Sequence, residues 1–177
     1  SRIAGVGRVC NEPNPADCRE PWQVYTVLAD GSDLTFLAED GYALTWSPDG
    51  TRLAFARGED MDDLVVMNAD GTDQAVIATV RGISSIAWSP DGERLAIMAQ
   101  PGPYQIFVIN ADGSSILELA SHDPNRLEVF PVWSPDGGSI AFTTLDGNDS
   151  ELRVVNAEGW GEINLSGYSG VDGNPDW

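Results

Sequence analysis

Three short stretches of this 177-residue chain carry the oxygen-rich side chains that a hard cation requires. Asp146-Gly147-Asn148-Asp149-Ser150-Glu151 alternates oxygen donors at Asp146, Asn148 and Ser150. Asp172-Gly173-Asn174-Pro175-Asp176 repeats that spacing with Asp172, Asn174 and Asp176, and Glu59-Asp60-Met61-Asp62-Asp63 crowds four carboxylates together. Calcium takes about six to eight oxygen ligands, so each stretch is a candidate calcium site. None follows the helix-loop-helix calcium pattern, and short runs of Asp, Asn and Gly are also plain turns in an acidic protein.

For covalent chemistry there is less. The single histidine, His122, lies in Ser121-His122-Asp123, but neighbours on one turn cannot converge on a substrate atom as a triad must. The chain has no Gly-x-Ser-x-Gly elbow, no phosphate-cradling glycine loop and no paired-histidine metalloprotease motif. The expectation is therefore a protein without a catalytic centre. Cys10 and Cys18 bracket a Pro- and Asn-rich insert and are expected to close it as a disulfide, which places the chain in an extracellular or periplasmic compartment. Trp22, Tyr104 and Tyr168 lie in irregular segments where they could stack on sugars, although rim packing is the plainer role for each. Trp160 stands in a turn, an unusual place for a core residue. Two Asn-x-Ser triplets, Asn148-Asp149-Ser150 and Asn164-Leu165-Ser166, match the glycosylation sequon, a triplet common by chance.

Charge narrows the partners. Nine basic residues against 28 acidic ones give a net charge of -19, which repels nucleic acid and anionic membrane and favours cations or basic surfaces. No run of 18 apolar residues occurs, so no membrane insertion is expected.

These residues must be held by something, and the scaffold is a repeat. Trp46-Ser47-Pro48-Asp49-Gly50 recurs as Trp88-Ser89-Pro90-Asp91-Gly92 and Trp133-Ser134-Pro135-Asp136-Gly137, with a truncated copy, Pro175-Asp176-Trp177, at the end. The tryptophans stand 42, 45 and 44 residues apart, the spacing of four-stranded propeller blades. Around each copy the apolar runs and turns predict four strands, a to d. In the second unit they are Ile83 to Trp88, Arg94 to Ala99, Gln105 to Ile109 and Ile116 to Leu119. No segment shows a capped helical period.

The expected fold is all-β: a single four-bladed β-propeller of four-stranded antiparallel blades over residues 1–177. Blade 1 comprises 1–38 plus 171–177, blade 2 42–78, blade 3 83–120 and blade 4 128–166. The N-terminal blade lacks a strand a, and 171–177 matches one, so the C-terminal strand is expected to join the N-terminal blade and close the ring. In each Ser-Pro-Asp-Gly turn, Pro presets φ, Asp can bond the backbone ahead of it and Gly accepts positive φ. The tryptophans are expected to pack between blades.

The Trp-Ser-Pro-Asp-Gly turn, the Arg-Leu-Ala-Phe strand after it and the Asn-Ala-Asp-Gly turn together resemble the WD-like repeat of TolB-like β-propeller proteins. That resemblance covers nearly the whole chain, with the cysteine insert as the main departure. It implies a propeller in a cell-envelope or secreted setting, and no shared catalytic residues. TolB-like propellers more often carry six or more repeats, so four is also a departure.

With all a–b and c–d turns on one end of the blades, the irregular b–c and d–a loops gather at the other, where binding is expected. The first expectation is a non-catalytic scaffold that binds protein, glycan or further copies of itself, as a dimer or filament. The alternative is the propeller portion of a larger hydrolase or lyase.

Overall fold

The computed structural model describes residues 1–8, 22–119, 126–146, 149–166 and 175–177. Fifteen strands lie among them, grouped in four antiparallel sheets. Blade 1 holds β1 (Arg2–Gly7), β2 (Gln23–Leu28) and β3 (Thr35–Glu39); blade 2 holds β4 (Gly41–Trp46), β5 (Arg52–Arg57), β6 (Asp63–Asn68) and β7 (Ala75–Thr79). Blade 3 runs through β8 (Ser85–Trp88), β9 (Arg94–Ala99), β10 (Gln105–Asn110) and β11 (Ile116–Glu118). Blade 4 has β12 (Leu127–Trp133), β13 (Ser139–Asp146), β14 (Asp149–Asn156) and β15 (Ile163–Asn164). Every blade is an up-and-down meander, so the fold is the all-β, four-bladed propeller that the repeats predict.

Blade 1 is described with three strands. Of the closing segment expected over 171–177, residues 171–174 lie outside the described residues and 175–177 form no strand.

Strand b shows why the repeat spells Leu-Ala-Phe or Leu-Ala-Ile. Its large residues face the preceding blade and its alanines face the following one. Leu53 and Phe55 join Val24 of blade 1 in one cluster, while Ala54 and Ala56 join Ile83, Trp88, Leu95 and Ile97 of blade 3 in another. Ala96 likewise faces blade 4, beside Trp133, Ile140 and Phe142. A small residue on one side leaves room for the next blade's tryptophan. Three clusters thus fill the three seams between consecutive blades, and each fully buried Leu, Ile or Phe contributes roughly 1.5–3 kcal/mol.

Strand a is less regular. β4 and β12 each carry a bulge, between Tyr42 and Thr45 and between Val129 and Val132, with Ala43 (φ 49°) and Phe130 (φ 58°) in the left-handed region. The corresponding strand β8 pairs with β9 without a shift.

Candidate functional site at the loop-bearing end

The repeated polar residues belong to the turn end, where they hold the backbone. Ser47 Oγ donates to Asp49 Oδ1 at 2.6 Å and accepts from Arg52 N at 2.9 Å, and Thr51 N donates to Asp49 Oδ1 at 3.0 Å. Ser89 with Asp91 and Ser134 with Asp136 repeat this at 2.5 and 2.6 Å. The three serines are buried. Hydrogen bonds from Ser47 and then from Thr51 hold the Asp49 carboxyl down at about 2, and the equivalent bonds lower Asp91 and Asp136. These Ser/Asp pairs are turn locks, in which each serine hydroxyl is tied to the carboxylate of its own turn.

The tryptophans sit between blades. Arg52 lies over the Trp88 ring and Arg94 over the Trp133 ring, and each guanidinium also donates to the carbonyl of the turn glycine in the next blade, Gly92 or Gly137. Trp133 Nε1 donates to Ala87 O at 3.0 Å. At the seam between blades 1 and 2, Arg2 turns aside to Asp33 and Thr26. Space of about 320 Å³, lined by Arg2, Trp46, Gly50 and Ala69, is left there.

Two features stand at the loop-bearing end. On blades 1 and 2, Trp22 packs on Tyr42 with ring centres 6.0 Å apart, and the Arg8 guanidinium lies 5.0 Å from the Trp22 ring centre. On blade 4, Arg126, Thr144, Asp149, Glu151 and Arg153 line a cleft of about 150 Å³. Arg153 bridges Glu151 and Glu162 and donates to Thr144 Oγ1 at 3.2 Å, and Arg126 Nη1 lies 3.7 Å from Glu162. The bond from Arg153 holds Glu151 below the usual carboxylate range. All nine basic residues of this acidic chain are arginines, and two of them line this one cleft.

The proposed cation ligands are only partly described. Asn148, Asp172 and Asn174 lie outside the described residues, as do His122, Tyr168 and the Cys10 and Cys18 pair; Asp146 is described by its backbone alone, paired with Asp149. Ser150 is buried at the start of β14. Asp176 Oδ1 accepts from Trp177 N at 2.9 Å. In the Glu59 to Asp63 stretch, Asp62 accepts from Gly82 N and Asp63 from Thr79 Oγ1, so both pin the d–a loop. Among the described residues no three His, Cys, Asp or Glu side chains gather as a metal site, and no helix is long and apolar enough to cross a membrane. Tyr104 gives its carbonyl to Glu128 N, and Trp160 is an exposed turn residue.

The inter-blade arginines escaped the sequence reading, although an available signal marks them. Arg52 and Arg94 each stand six residues after a repeat tryptophan, whereas Ser139 holds that place in blade 4.

Comparison with known proteins agrees with this architecture. The model of the TolB beta propeller domain family matches residues 10–177. The Tol-Pal system protein TolB of Anaeromyxobacter sp. (strain K) is 44% identical over 46 residues, which are 26% of this chain and 11% of that protein. Among solved structures, the TolB-like protein of Agrobacterium tumefaciens superposes with a TM-score of 0.63 at 21% identity, covering 81% of this chain and 56% of its own. The propeller domain of the Trilobed protease from Pyrococcus furiosus gives 0.67 at 15% identity, over 93% and 53%. A prolyl endopeptidase gives 0.64 at 17% identity, over 86% and 27%. The chain thus spans about half the length of the solved TolB-like chain, and its curated relatives match it over a much shorter stretch.

Proposed function

As the chain belongs to the TolB β-propeller domain family, we propose that it is a non-catalytic interaction module of the cell envelope, presenting its loop-bearing end to a protein partner. The observation that carries this reading is the contrast between the two ends of the blades. At the turn end the repeated Ser, Asp and Arg side chains are committed to one another and to the backbone. At the loop end Arg8 and Tyr42 pack about Trp22, and Arg126 and Arg153 line a cleft, at the end of a rigid scaffold where loops carry binding residues. A net charge of -19 selects a partner with a basic surface and speeds their encounter. The envelope setting is supported by the Tol-Pal system name of the curated relatives.

Capture from an envelope extract tests the reading. Trp22→Ala and Arg126→Ala are expected to lose a captured protein that Thr51→Ala, at the turn end, retains. Equal retention by all three, or capture of glycan in place of protein, overturns it.

A second reading, the propeller portion of a larger hydrolase, is favoured by the likeness to a prolyl endopeptidase, of which the chain covers 27%. Peptidase turnover by a longer parent polypeptide, altered by Trp22→Ala, would move the function there.

A further inference from the structure

The seam between blades 3 and 4, both complete, changes character along its length. Toward the turn end it is apolar: Ile140, Phe142 and Val155 of blade 4 pack against Ala96, Ile106 and Val108 of blade 3. Toward the loop end the same face of blade 4 turns charged. Arg153 stands opposite Phe142, and Glu151 and Glu128 stand opposite Thr144 on its two sides. Residues opposite one another in an antiparallel ladder share a face, and Asp149, two places before Glu151, shares it as well.

Blades 2 and 3 fill these places differently. The place of Arg153 is held by Val65 opposite Phe55 and by Phe107 opposite Ile97, both buried apolar side chains. The place of Glu128 is held in blade 2 by Gly41. Yet the Arg153 side chain is only 14% exposed and Glu128 only 1%. Charge in a seam that apolar residues fill elsewhere costs stability, and such departures from a local rule gather at functional sites.

Three carboxylates and two guanidiniums meet at the cleft of about 150 Å³. Glu162 is shared by Arg153 and Arg126, Glu151 pairs with Arg153, and Asp149 lines the cleft beside them. Their formal sum is one negative charge before Glu128 is counted, so one further cation fits and an anion does not. Among the described residues no three acidic side chains gather as a metal site, whereas an ammonium needs only acceptors for its three donors. Thr144 Oγ1 accepts from Arg153 Nε at 3.2 Å and keeps a second lone pair, and Asp149 and Glu151 add carboxylate oxygens. The cleft is about half the roughly 300 Å³ of the smallest ligand pockets, so it suits the end of one side chain.

We propose that this cleft receives one lysine side chain of the protein partner, its ammonium held by Asp149, Glu151 and Thr144. The proposal rests on the partner-binding reading of the loop-bearing end. Arg153 is the positioning residue, since it fixes both Glu151 and Thr144. The chain itself contains no lysine, so a second copy cannot supply it.

Titration of the 177-residue chain with Nα-acetyl-lysine methylamide, followed by the backbone amide signals of β13 and β14, tests this. Saturable shifts are expected at Thr144 and Glu151, weakening as salt rises, and Nα-acetyl-norleucine methylamide, which lacks the ammonium, is expected to give none. Asp149→Asn and Thr144→Val should each raise the Kd about fivefold or more. Glu59→Gln, which removes the same charge from blade 2, should leave it unchanged. Should Asp149→Asn fail to fold, Thr144→Val carries the test. Equal shifts with norleucine, unsaturable shifts across the whole acidic surface, or a Kd unmoved by both cleft variants overturns the proposal. So does calcium that displaces the amine, which would give the cleft to a metal. Capture of a protein from the envelope extract is read separately, so loss of the lysine site with capture intact refutes this proposal alone.

Discussion

The guanidinium of Arg94 lies 4.9 Å from the centre of the Trp133 ring and donates to the carbonyl of Gly137 at 2.9 Å, so one side chain of blade 3 grips both the tryptophan and the turn of blade 4. Arg52 holds Trp88 and Gly92 in the same way, at 4.8 and 2.6 Å. A partly desolvated cation over an indole contributes roughly 0.5–2 kcal/mol, and a hydrogen bond from a charged group about 1.5–3 kcal/mol.

Arg94→Ala is therefore expected to cost roughly 2–4 kcal/mol in chemical denaturation, with a double-mutant cycle against Trp133→Phe showing positive coupling. The blade 4 counterpart gives the opposite sign. Ser139 stands where Arg52 and Arg94 stand, and Trp177 occupies the tryptophan place beyond it. Ser139→Arg is expected to stabilise by up to about 1 kcal/mol, and a gain that survives Trp177→Ala would refute the shared geometry.

Acid should loosen the turns. Asp49 is held at about 2, and Asp91 and Asp136 are lowered by the same bonds from serine and the backbone. A carboxylate depressed in the folded state contributes stability that is fully present above its unfolded pKa of about 3.9 and fades as pH falls through the folded value. Thermal melting is thus expected to be flat from neutral pH to about pH 5 and to fall between about pH 4 and 2. Asp91→Asn should flatten that acid limb and lower the neutral plateau.

Two turn glycines separate backbone strain from collision. Gly50 has φ 70° with open space about its Cβ position, while Gly113 has φ 76° and a Cβ there would meet the Ile77 carbonyl oxygen at 2.9 Å. Gly50→Ala is expected to cost about 1–2 kcal/mol from the left-handed conformation alone. Gly113→Ala should cost more, because the neighbouring backbone must also move. Equal midpoints in urea would show that the seam between blades 2 and 3 yields freely.

Much of the architecture was legible because the repeat is written in residues with strong local preferences. Pro48, Asp49 and Gly50 specify a turn whatever surrounds them, and the Leu53-Ala54-Phe55 alternation marks a strand with a bulky face and a thin one. What escaped was the part set between blades. Arg52 reads as a solvated charge until the next blade places Trp88 beneath it. Ile3 and Leu165 are exposed, although in sequence they match Leu53 and Leu119, which are buried. At the candidate site, the tilted contact of Trp22 with Tyr42 joins residues of two blades, and the loop lengths alone do not bring them together.

The strand a bulges follow no such local rule. Ala43 takes φ 49° in β4, whereas Ser85, three residues before its own tryptophan as Ala43 is, lies in an unshifted pairing with Met98. The same substitution is therefore expected to act with opposite sign at the two places. Ala43→Gly removes left-handed strain of roughly 1–2 kcal/mol and adds chain entropy costing about 0.5–1 kcal/mol, a small net gain. Ser85→Gly has no strain to relieve and adds only the entropy, so it destabilises. Urea midpoints of the two variants decide it: a loss at Ala43→Gly as large as that at Ser85→Gly would mean that the bulge carries no strain.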